Sequence, residues 1–232
     1  KPNRRNVSST TVQVRVTNPN YENTIHKSGT IEITPFEVTI TADDISKLYG
    51  DEDPTFTATE TVTKEGTVRP DDQEISYDIV RNPKHEDAGT YEKTLIPSGE
   101  ELQGNYKVTY KNGDFEIRRT VRPDDKAISA VDYSGVYDNE KHTITVNGLL
   151  PADKVEYSYD GGKNWSTELK KYKHVTDGTK TIDVRVTNPN YLGEATTSAT
   201  VEITPFEMTV TANPASKNFG ENDPTWTASV EP

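Results

Sequence analysis

Short runs of alternating apolar and polar residues cover most of the chain and predict β-strands. Around Val38 and again around Ile182, every second residue is apolar. Side chains of a strand point alternately to its two faces, so this period of two predicts half-buried strands. No stretch of ten or more residues shows a 3.6-residue apolar period, so we predict an all-β fold. The predicted apolar faces are Val38 and Ile40; Phe56 and Ala58; Ile75, Tyr77 and Ile79; Tyr91 and Leu95; Val108 and Tyr110; Phe115 and Ile117; Ile144 and Val146; Val155, Tyr157 and Tyr159; Ile182, Val184 and Val186; and Val201 and Ile203.

Two glycine-containing turns are predicted between neighbouring strands. Asn112-Gly113 separates the strand of Val108 from that of Phe115, and Asn-Gly accepts the positive φ angles of a two-residue hairpin. The segment 160–163, Asp-Gly-Gly-Lys, follows the strand of Val155 and gives a second hairpin signal. Strands separated by turn residues at intervals of roughly 8–12 residues are typical of β-sandwiches.

The sequence repeats itself at a constant offset, which aligns Val14 with Val184. The octapeptide VRVTNPNY occurs at 14–21 and again at 184–191. Residues 14–58 match residues 184–228 at 27 of 45 positions without a gap. A gapless match of this length indicates duplication, and the period suits two small β-domains per repeat.

The repeat predicts four segments of two module types, which we call A and B. In chain order they are the C-terminal part of an A module (1–36), a complete B module (37–118), a complete A module with a short linker at its start (119–206), and the N-terminal part of a second B module (207–232). Thr34-Pro35-Phe36 and Thr204-Pro205-Phe206 join A to B, and proline stiffens both joints.

Composition and charge exclude several classes of function. Hydrophobic residues make up only 31% of the 232 residues, and no segment is apolar enough to predict a membrane span. Asp and Glu outnumber Lys and Arg by 38 to 26, and a net charge of −12 argues against nucleic-acid binding, which needs a basic face. The absence of cysteine excludes thiol catalysis, disulfides and cysteine-zinc sites.

No residue pattern predicts a catalytic centre, a cofactor site or a metal site. The acidic residues 51–53 and 43–44 are a candidate for Ca²⁺, but they lack the spacing of a calcium loop. The second copy also replaces them with Glu221-Asn222-Asp223 and Asn213-Pro214, so we interpret residues 51–53 as a solvated turn. The four histidines are not spaced for zinc and no serine-nucleophile elbow occurs, so we predict no enzymatic activity.

Aromatic residues provide the candidate ligand contacts of this chain. Trp165 follows the predicted turn that contains Asp160, and Tyr159 precedes it. Exposed Trp and Tyr side chains stack on sugars or anchor protein interfaces; the alternative is that they fill thin sandwich cores. Trp226 replaces Phe56 of the first copy in an alternating strand, so we expect it in a core. Trp165, Tyr159 and Asp160 are the candidate ligand contacts.

Motif strings in both modules point to known repeats. Module B contains Tyr49–Asp51, Asp53–Thr55, Gly89–Tyr91 and Asn105–Tyr106, and with them it resembles the MBG, or YGX-type, β-rich repeats of bacterial surface proteins. Through YDNEKHTITVNGL, VEYSYDGGKNWS and VRVTNPNYLGEATTSATVEITP, module A resembles the bacterial immunoglobulin-like repeats that alternate with them. The resemblance implies tandem immunoglobulin-like β-sandwich modules arranged end to end.

A structural role at the surface of a bacterium, in most cases a Gram-positive one, follows from the resemblance. We expect stalk or spacer repeats that project a distal binding domain and are anchored by sequence outside this segment. The alternative is an adhesin module that binds a host glycan or matrix protein directly. The expected partners are neighbouring repeats of the same chain, with a monomeric state and no nucleic-acid or membrane contact. Stalk domains of this kind sometimes carry a Lys–Asn or Lys–Asp isopeptide cross-link, but the sequence does not say which residues would meet.

Overall fold

The computed structural model describes residues 5–63, 67–70 and 73–231 and divides into two compact units, Lys1–Arg119 and Thr120–Pro232. Its regular elements are β-strands and two short 3₁₀ helices, so the all-β prediction is confirmed. The predicted four-segment division stays a prediction. The first unit contains β1 (Ser8–Val16), β2 (Ile25–Ile33), β3 (Phe36–Ala42), β4 (Ile45–Leu48), β5 (Ala58–Val62), β6 (Asp78–Arg81), β7 (Gly89–Ser98), β8 (Leu102–Gln103), β9 (Tyr106–Lys111) and β10 (Gly113–Arg118).

The strands β3 to β10 form two four-stranded sheets, in the orders β5-β3-β9-β8 and β4-β10-β7-β6. Each sheet contains one parallel pair, β3 with β9 and β4 with β10. The apolar faces that the alternation predicts are buried between them as a β-sandwich core. Its fully buried side chains include Val38, Ile40, Leu95, Tyr106 and Phe115. Strands β1 and β2 form a separate antiparallel hairpin.

Two strands begin later than the pattern predicts. Phe56 precedes β5, and Ile75 and Tyr77 precede β6. Their side chains still pack on the core: the ring of Phe56 meets that of Phe115 edge to face, with centroids 6.1 Å apart. The alternation therefore predicted the buried side chains correctly, but it was less accurate for the backbone groups that pair.

The predicted Asn112-Gly113 hairpin is wrong. Strand β9 ends just before this dipeptide and β10 begins within it, but the two strands belong to different sheets. Neither residue has a positive φ, and Asn112 Nδ2 donates to the carbonyl oxygen of Lys93 at 3.0 Å. The glycine serves a different purpose, because a Cβ atom on Gly113 would lie 2.4 Å from the carbonyl oxygen of Ala42.

We expect Gly113→Ala to lower the free energy of unfolding of the first unit by roughly 1–3 kcal/mol, because backbone must move to admit the new methyl group. Chemical denaturation of the full chain, with hydrogen exchange read on β9 and β10, measures this. Gly29→Ala is the matched control, since no atom lies within 4 Å of its added Cβ and its counterpart in the second copy is Ala199. Equal stability of the two variants would contradict the close approach.

The elements of the second unit are a 3₁₀ helix (Asp124–Lys126), β11 (Ser129–Val131), β12 (Tyr133–Val136), β13 (Thr145–Asn147), β14 (Lys154–Ser158), a 3₁₀ helix (Val175–Asp177), β15 (Lys180–Thr187), β16 (Ala195–Thr204), β17 (Thr209–Ala212) and β18 (Ala228–Glu231). They form a four-stranded sheet in the order β12-β16-β15-β14 and two two-stranded sheets, β11-β13 and β17-β18. The alternation on β15 is confirmed, because Ile182, Val184 and Val186 are buried and the residues between them are not.

The predicted turn after β14 does reverse the chain. Tyr157 exchanges two backbone hydrogen bonds with Ser166, of 2.7 and 2.9 Å. Gly161 and Gly162 have φ angles of 73° and 79°, which non-glycine residues rarely adopt. The turn signal is therefore confirmed, within a loop longer than two residues.

The expectation of a core position for Trp226 is wrong. Its side chain is 74% exposed, whereas its counterpart Phe56 packs against Phe115 of β10. Under the offset of the repeat, residues 63–118 have no counterpart among the 232 residues. These residues include Phe115, whose ring covers Phe56. The counterpart of Phe115 that would cover Trp226 is therefore not among the 232 residues.

The two copies of each module pair their strands in the same register. Val14 of β1 pairs with Lys27 of β2, and their counterparts in the second copy, Val184 and Thr197, also pair. The first B strands agree in the same way, because β3 pairs with β5 at the positions that β17 pairs with β18. The duplication seen in the sequence is therefore also a duplication of backbone pairing.

Candidate functional site

The three candidate ligand contacts lie together in the loop that follows β14. The carboxylate of Asp160 accepts hydrogen bonds from the backbone N–H groups of Lys163 and Asn164 and from the side chains of Asn164 and Ser158. These hydrogen bonds, with those of Asn164 first, lower the pKa of Asp160 to about 2. Asp160 thus closes the loop as an aspartate does in an Asx turn.

Trp165 packs back onto its own loop and sheet. Its indole Nε1 donates to the carbonyl oxygen of Gly162 at 3.1 Å. The guanidinium of Arg185 lies 4.4 Å from the ring centre, and the same guanidinium pairs with Glu156 at 3.1 Å. A cation–π contact of this kind stabilises the ring at the sheet surface. One face of the indole and its single hydrogen-bond donor are therefore occupied.

Tyr159 is also engaged within the loop. Its hydroxyl donates to the carbonyl oxygen of Glu168 and accepts from the backbone N–H of Lys170, both at 2.8 Å. The ammonium of Lys170 lies 4.4 Å from the centre of the tyrosine ring. The structure thus brings the three candidates together but uses each of them to hold the loop, and their role as ligand contacts stays a prediction.

Two open cavities flank Gly161. The larger, of about 630 Å³, is lined by Tyr159, Lys170 and Tyr172. The other, of about 520 Å³, is lined by Trp165 and, on the outer face of the sheet, by residues such as Asp183 and Thr196. Exposed space for a small ligand therefore exists beside the loop.

A second site, which the sequence analysis missed, is a cluster of four charged side chains in module B. Lys47 and Arg81 have side chains only 5% and 2% exposed. Both bind Asp53: Lys47 Nζ lies 2.9 Å from Oδ1 and Arg81 Nε lies 2.9 Å from Oδ2. Glu86 accepts hydrogen bonds from both cations. The cluster therefore compensates two buried positive charges with two carboxylates.

The cluster ties together the two edges of one sheet. Lys47 lies on β4 and Arg81 on β6, the outermost strands of the sheet β4-β10-β7-β6. Between these strands, the Arg81 guanidinium packs over the ring of Phe115 at 4.6 Å. The turn after β4, in which Gly50 has a φ of 88°, carries Asp53 back over the sheet to meet both cations.

The protonation states in this cluster are those of an ion network. Burial acts to lower the pKa of Lys47, but its hydrogen bonds with Glu86 and Asp53 raise the pKa above its usual value. Burial acts to raise the pKa of Asp53, but hydrogen bonds from Lys47 and Arg81 lower it. We therefore interpret the contact as an ion pair.

One signal in the sequence pointed to this pair. Lys47 and Asp53 both recur in the second copy, as Lys217 and Asp223, and these two side chains form an ion pair as well. The interpretation of residues 51–53 as a solvated turn is therefore wrong for Asp53. It holds for the neighbouring acidic residues 51 and 52, which are exposed. Among the residues that the structure describes, no group of three or more His, Asp or Glu side chains is placed to hold a metal ion.

The motifs that suggested a family have clear structural roles in module B. Tyr49 packs on the core, Gly50 makes the turn with a positive φ, and Tyr106 after Asn105 is buried at the start of β9. Residues 38–116 match the family model of the MBG domain (YGX type). The predicted resemblance of module B is thus confirmed. The match covers about a third of the chain, and the alternation of MBG domains with immunoglobulin-like repeats stays a prediction.

Beyond the MBG domain, the chain is similar to solved structures of cadherin extracellular domains at low identity. No curated protein matches the chain. Matching solved structures include protocadherin gamma B7 extracellular cadherin domains 1–4 (11% identity, 96% of this chain and 66% of that chain, TM-score 0.30). Drosophila N-cadherin EC1-4 matches at 11% identity over 84% of this chain and 58% of that one, with a TM-score of 0.23. TM-scores this low do not establish a common fold, so the all-β assignment rests on the strands themselves.

The described part of the chain holds no helix of the length and apolar character that crossing a membrane requires.

Proposed function

We propose that this chain consists of spacer repeats of an extracellular protein on the surface of a bacterium, and that they hold a distal domain away from the cell. The MBG match supports an extracellular repeat module. The observation that carries the proposal is the repeat itself. Strand register and the Lys–Asp ion pair recur between copies, whereas several exposed side chains do not.

The surroundings of Trp165 illustrate this difference. Asp183 and Thr196 line the cavity beside Trp165, and their counterparts in the first A copy are Gln13 and His26. A repeat that binds one ligand in every copy would keep the chemistry of its contact surface. A repeat that supplies length needs only its folded core, and here the core positions of β15 stay apolar in β1.

The proposed mechanism is additive length. Each of the two complete modules has its own buried core, and the proline joints restrict bending between modules. A net charge of −12 repels neighbouring chains and opposes self-association.

Small-angle scattering of the full chain tests the spacer. We expect a radius of gyration well above the roughly 17 Å of one compact body of this length. The double variant Pro35→Gly, Pro205→Gly is the matched control, and its more flexible joints should broaden the distribution of interatomic distances. A radius near that of one compact body would contradict the proposal.

Direct adhesion is the second candidate, favoured by the open cavity beside Trp165. It predicts binding to a glycan array or to matrix proteins that Trp165→Ala abolishes. Trp226→Ala, at an exposed tryptophan outside the loop, should leave such binding unchanged. A spacer shows no binding in either form.

A further inference from the structure

Each complete module pairs an early strand with its last strand, and in both pairs the two strands run parallel. In module B, β4 pairs with β10 at four positions. In module A, β12 pairs with β16 at four positions. One more hydrogen bond follows the pair in module B, where the N–H of Tyr49 donates to the carbonyl oxygen of Arg118 at 2.8 Å. In module A the N–H of Tyr137 donates to the carbonyl oxygen of Thr204 at 2.9 Å.

An aspartate directly before the early strand adds a hydrogen bond at the other end of each pair. Asp44 Oδ1 accepts a backbone N–H of β10 at 2.8 Å. Asp132 Oδ1 accepts the N–H of Thr200 on β16 at 2.6 Å and the hydroxyl of the same residue at 3.1 Å. The pattern Asp-x-Ser-x-x-Tyr occurs at 44–49 and again at 132–137. Its aspartate and its tyrosine therefore hold the two ends of the parallel pair in both module types.

The parallel direction matters when a module is pulled at its two chain ends. In a parallel pair, the start of the early strand and the end of the last strand lie at opposite ends of the row of hydrogen bonds. Tension then slides the strands along each other, and all of these hydrogen bonds carry the load together. In an antiparallel pair the same two points would lie at one end, and the bonds would break one after another. A parallel pair therefore resists more force than an antiparallel pair with the same number of hydrogen bonds.

We propose that the pairs β4–β10 and β12–β16 are mechanical clamps, which let the repeats carry tension along the chain without unfolding. In module B the entering strand β3 also pairs parallel, with β9, so its hydrogen bonds share the load in the same way. The source of the tension is the proposed function, on which this inference rests, because a spacer between a cell and a distal domain is pulled along its length. The resistance itself is a property of each module.

Single-molecule pulling of the full chain in two directions tests the clamps. The chain contains no cysteine, so one cysteine added at each end gives unique attachment points for end-to-end pulling. For the second direction the attachment points are Ser134→Cys and Glu202→Cys, kept reduced, at two exposed residues that lie opposite each other in the clamp of module A. Pulling there separates the two strands sideways and breaks the same hydrogen bonds one by one. We expect module A to unfold at a clearly lower force in this second direction.

A matched pair of variants separates the clamp from the general stability of module A. Asp132→Ala removes the hydrogen bonds to Thr200, and we expect module A to unfold roughly five to ten times faster at constant end-to-end force. Asp183→Ala removes an aspartate of β15, outside the clamp, and should leave this rate unchanged. Module B of the same molecule is the internal reference, so only one of the two unfolding events should change.

Equal unfolding forces in the two pulling directions would overturn the proposal, and so would equal effects of the two aspartate variants. Scattering tests the length of the chain separately. An extended chain whose modules unfold at low force would support the spacer and contradict the clamps. A compact chain whose modules resist force would contradict the spacer and support the clamps.

Discussion

Asp53→Ala is expected to lower the free energy of unfolding of the first unit by about 3–5 kcal/mol. The substitution removes the carboxylate that Lys47 and Arg81 share, and both cations are almost fully buried. Glu86 remains as a partner, but its side chain is 59% exposed and solvent weakens its compensation. A charge left buried without its partner costs far more than the intact ion pair contributes.

The measurement must resolve the first unit. Both tryptophans lie in the second unit, so fluorescence does not report on Asp53. Hydrogen exchange on β4, β6 and β10 during denaturation does. Asp51→Ala is the matched control: it removes an exposed carboxylate from the same turn and should change stability by less than about 0.5 kcal/mol. If Asp53→Ala were as mild as Asp51→Ala, the cluster would have no structural role.

Asp153→Asn should lower the free energy of unfolding of the second unit by about 3 kcal/mol at neutral pH. The Asp153 side chain is 2% exposed and accepts both Nη1 and Nη2 of Arg122, at 2.9 and 2.7 Å. It also accepts the N–H of Leu150 and the amide of Asn188. Burial acts to raise the pKa of Asp153, but these hydrogen bonds, with that from Arg122 first, lower it to about 2.

The contribution of Asp153 to the free energy of unfolding depends on pH in a direction that its lowered pKa determines. Because the folded-state pKa lies below the usual value, the contribution of Asp153 is complete above about pH 5 and is lost as the pH falls toward 2. Titration of Asp153 alone accounts for roughly 2 kcal/mol of the free energy of unfolding. The difference in stability between the parent and Asp153→Asn should therefore narrow on acidification.

Denaturation followed by tryptophan fluorescence at several pH values measures this difference. Asp125→Asn, on a carboxylate that is 71% exposed, is the matched control and should follow the parent at every pH. A gap between parent and Asp153→Asn that stays constant from neutral pH to pH 2 would show that the carboxylate is not titrating as the structure indicates.

The duplication was the most informative feature of the sequence. It predicted the segments, and the structure shows the same strand register in both copies. The duplication also pointed to an ion pair that residue types alone did not indicate. Lys47 and Asp53 recur together in the second copy, and the two residues form an ion pair in both copies. Their partners Arg81 and Glu86 have no counterpart within the 232 residues, so the repeat offered no signal for them.

What the sequence by itself determined is local: which residues form strands and which face of each strand is apolar. Alternation at a period of two suffices for this, because neighbouring side chains in a strand point to opposite sides whatever the strand pairs with. The tertiary structure alone decided which sheet each strand joins. Asn112-Gly113 has the composition of a hairpin turn, yet β9 pairs with β3, and β10 pairs with β4 and β7. Strand pairings and ion contacts between distant residues depend on the free energy of burying whole strand faces. A short segment of sequence does not determine this free energy, because it depends on residues far apart in the chain.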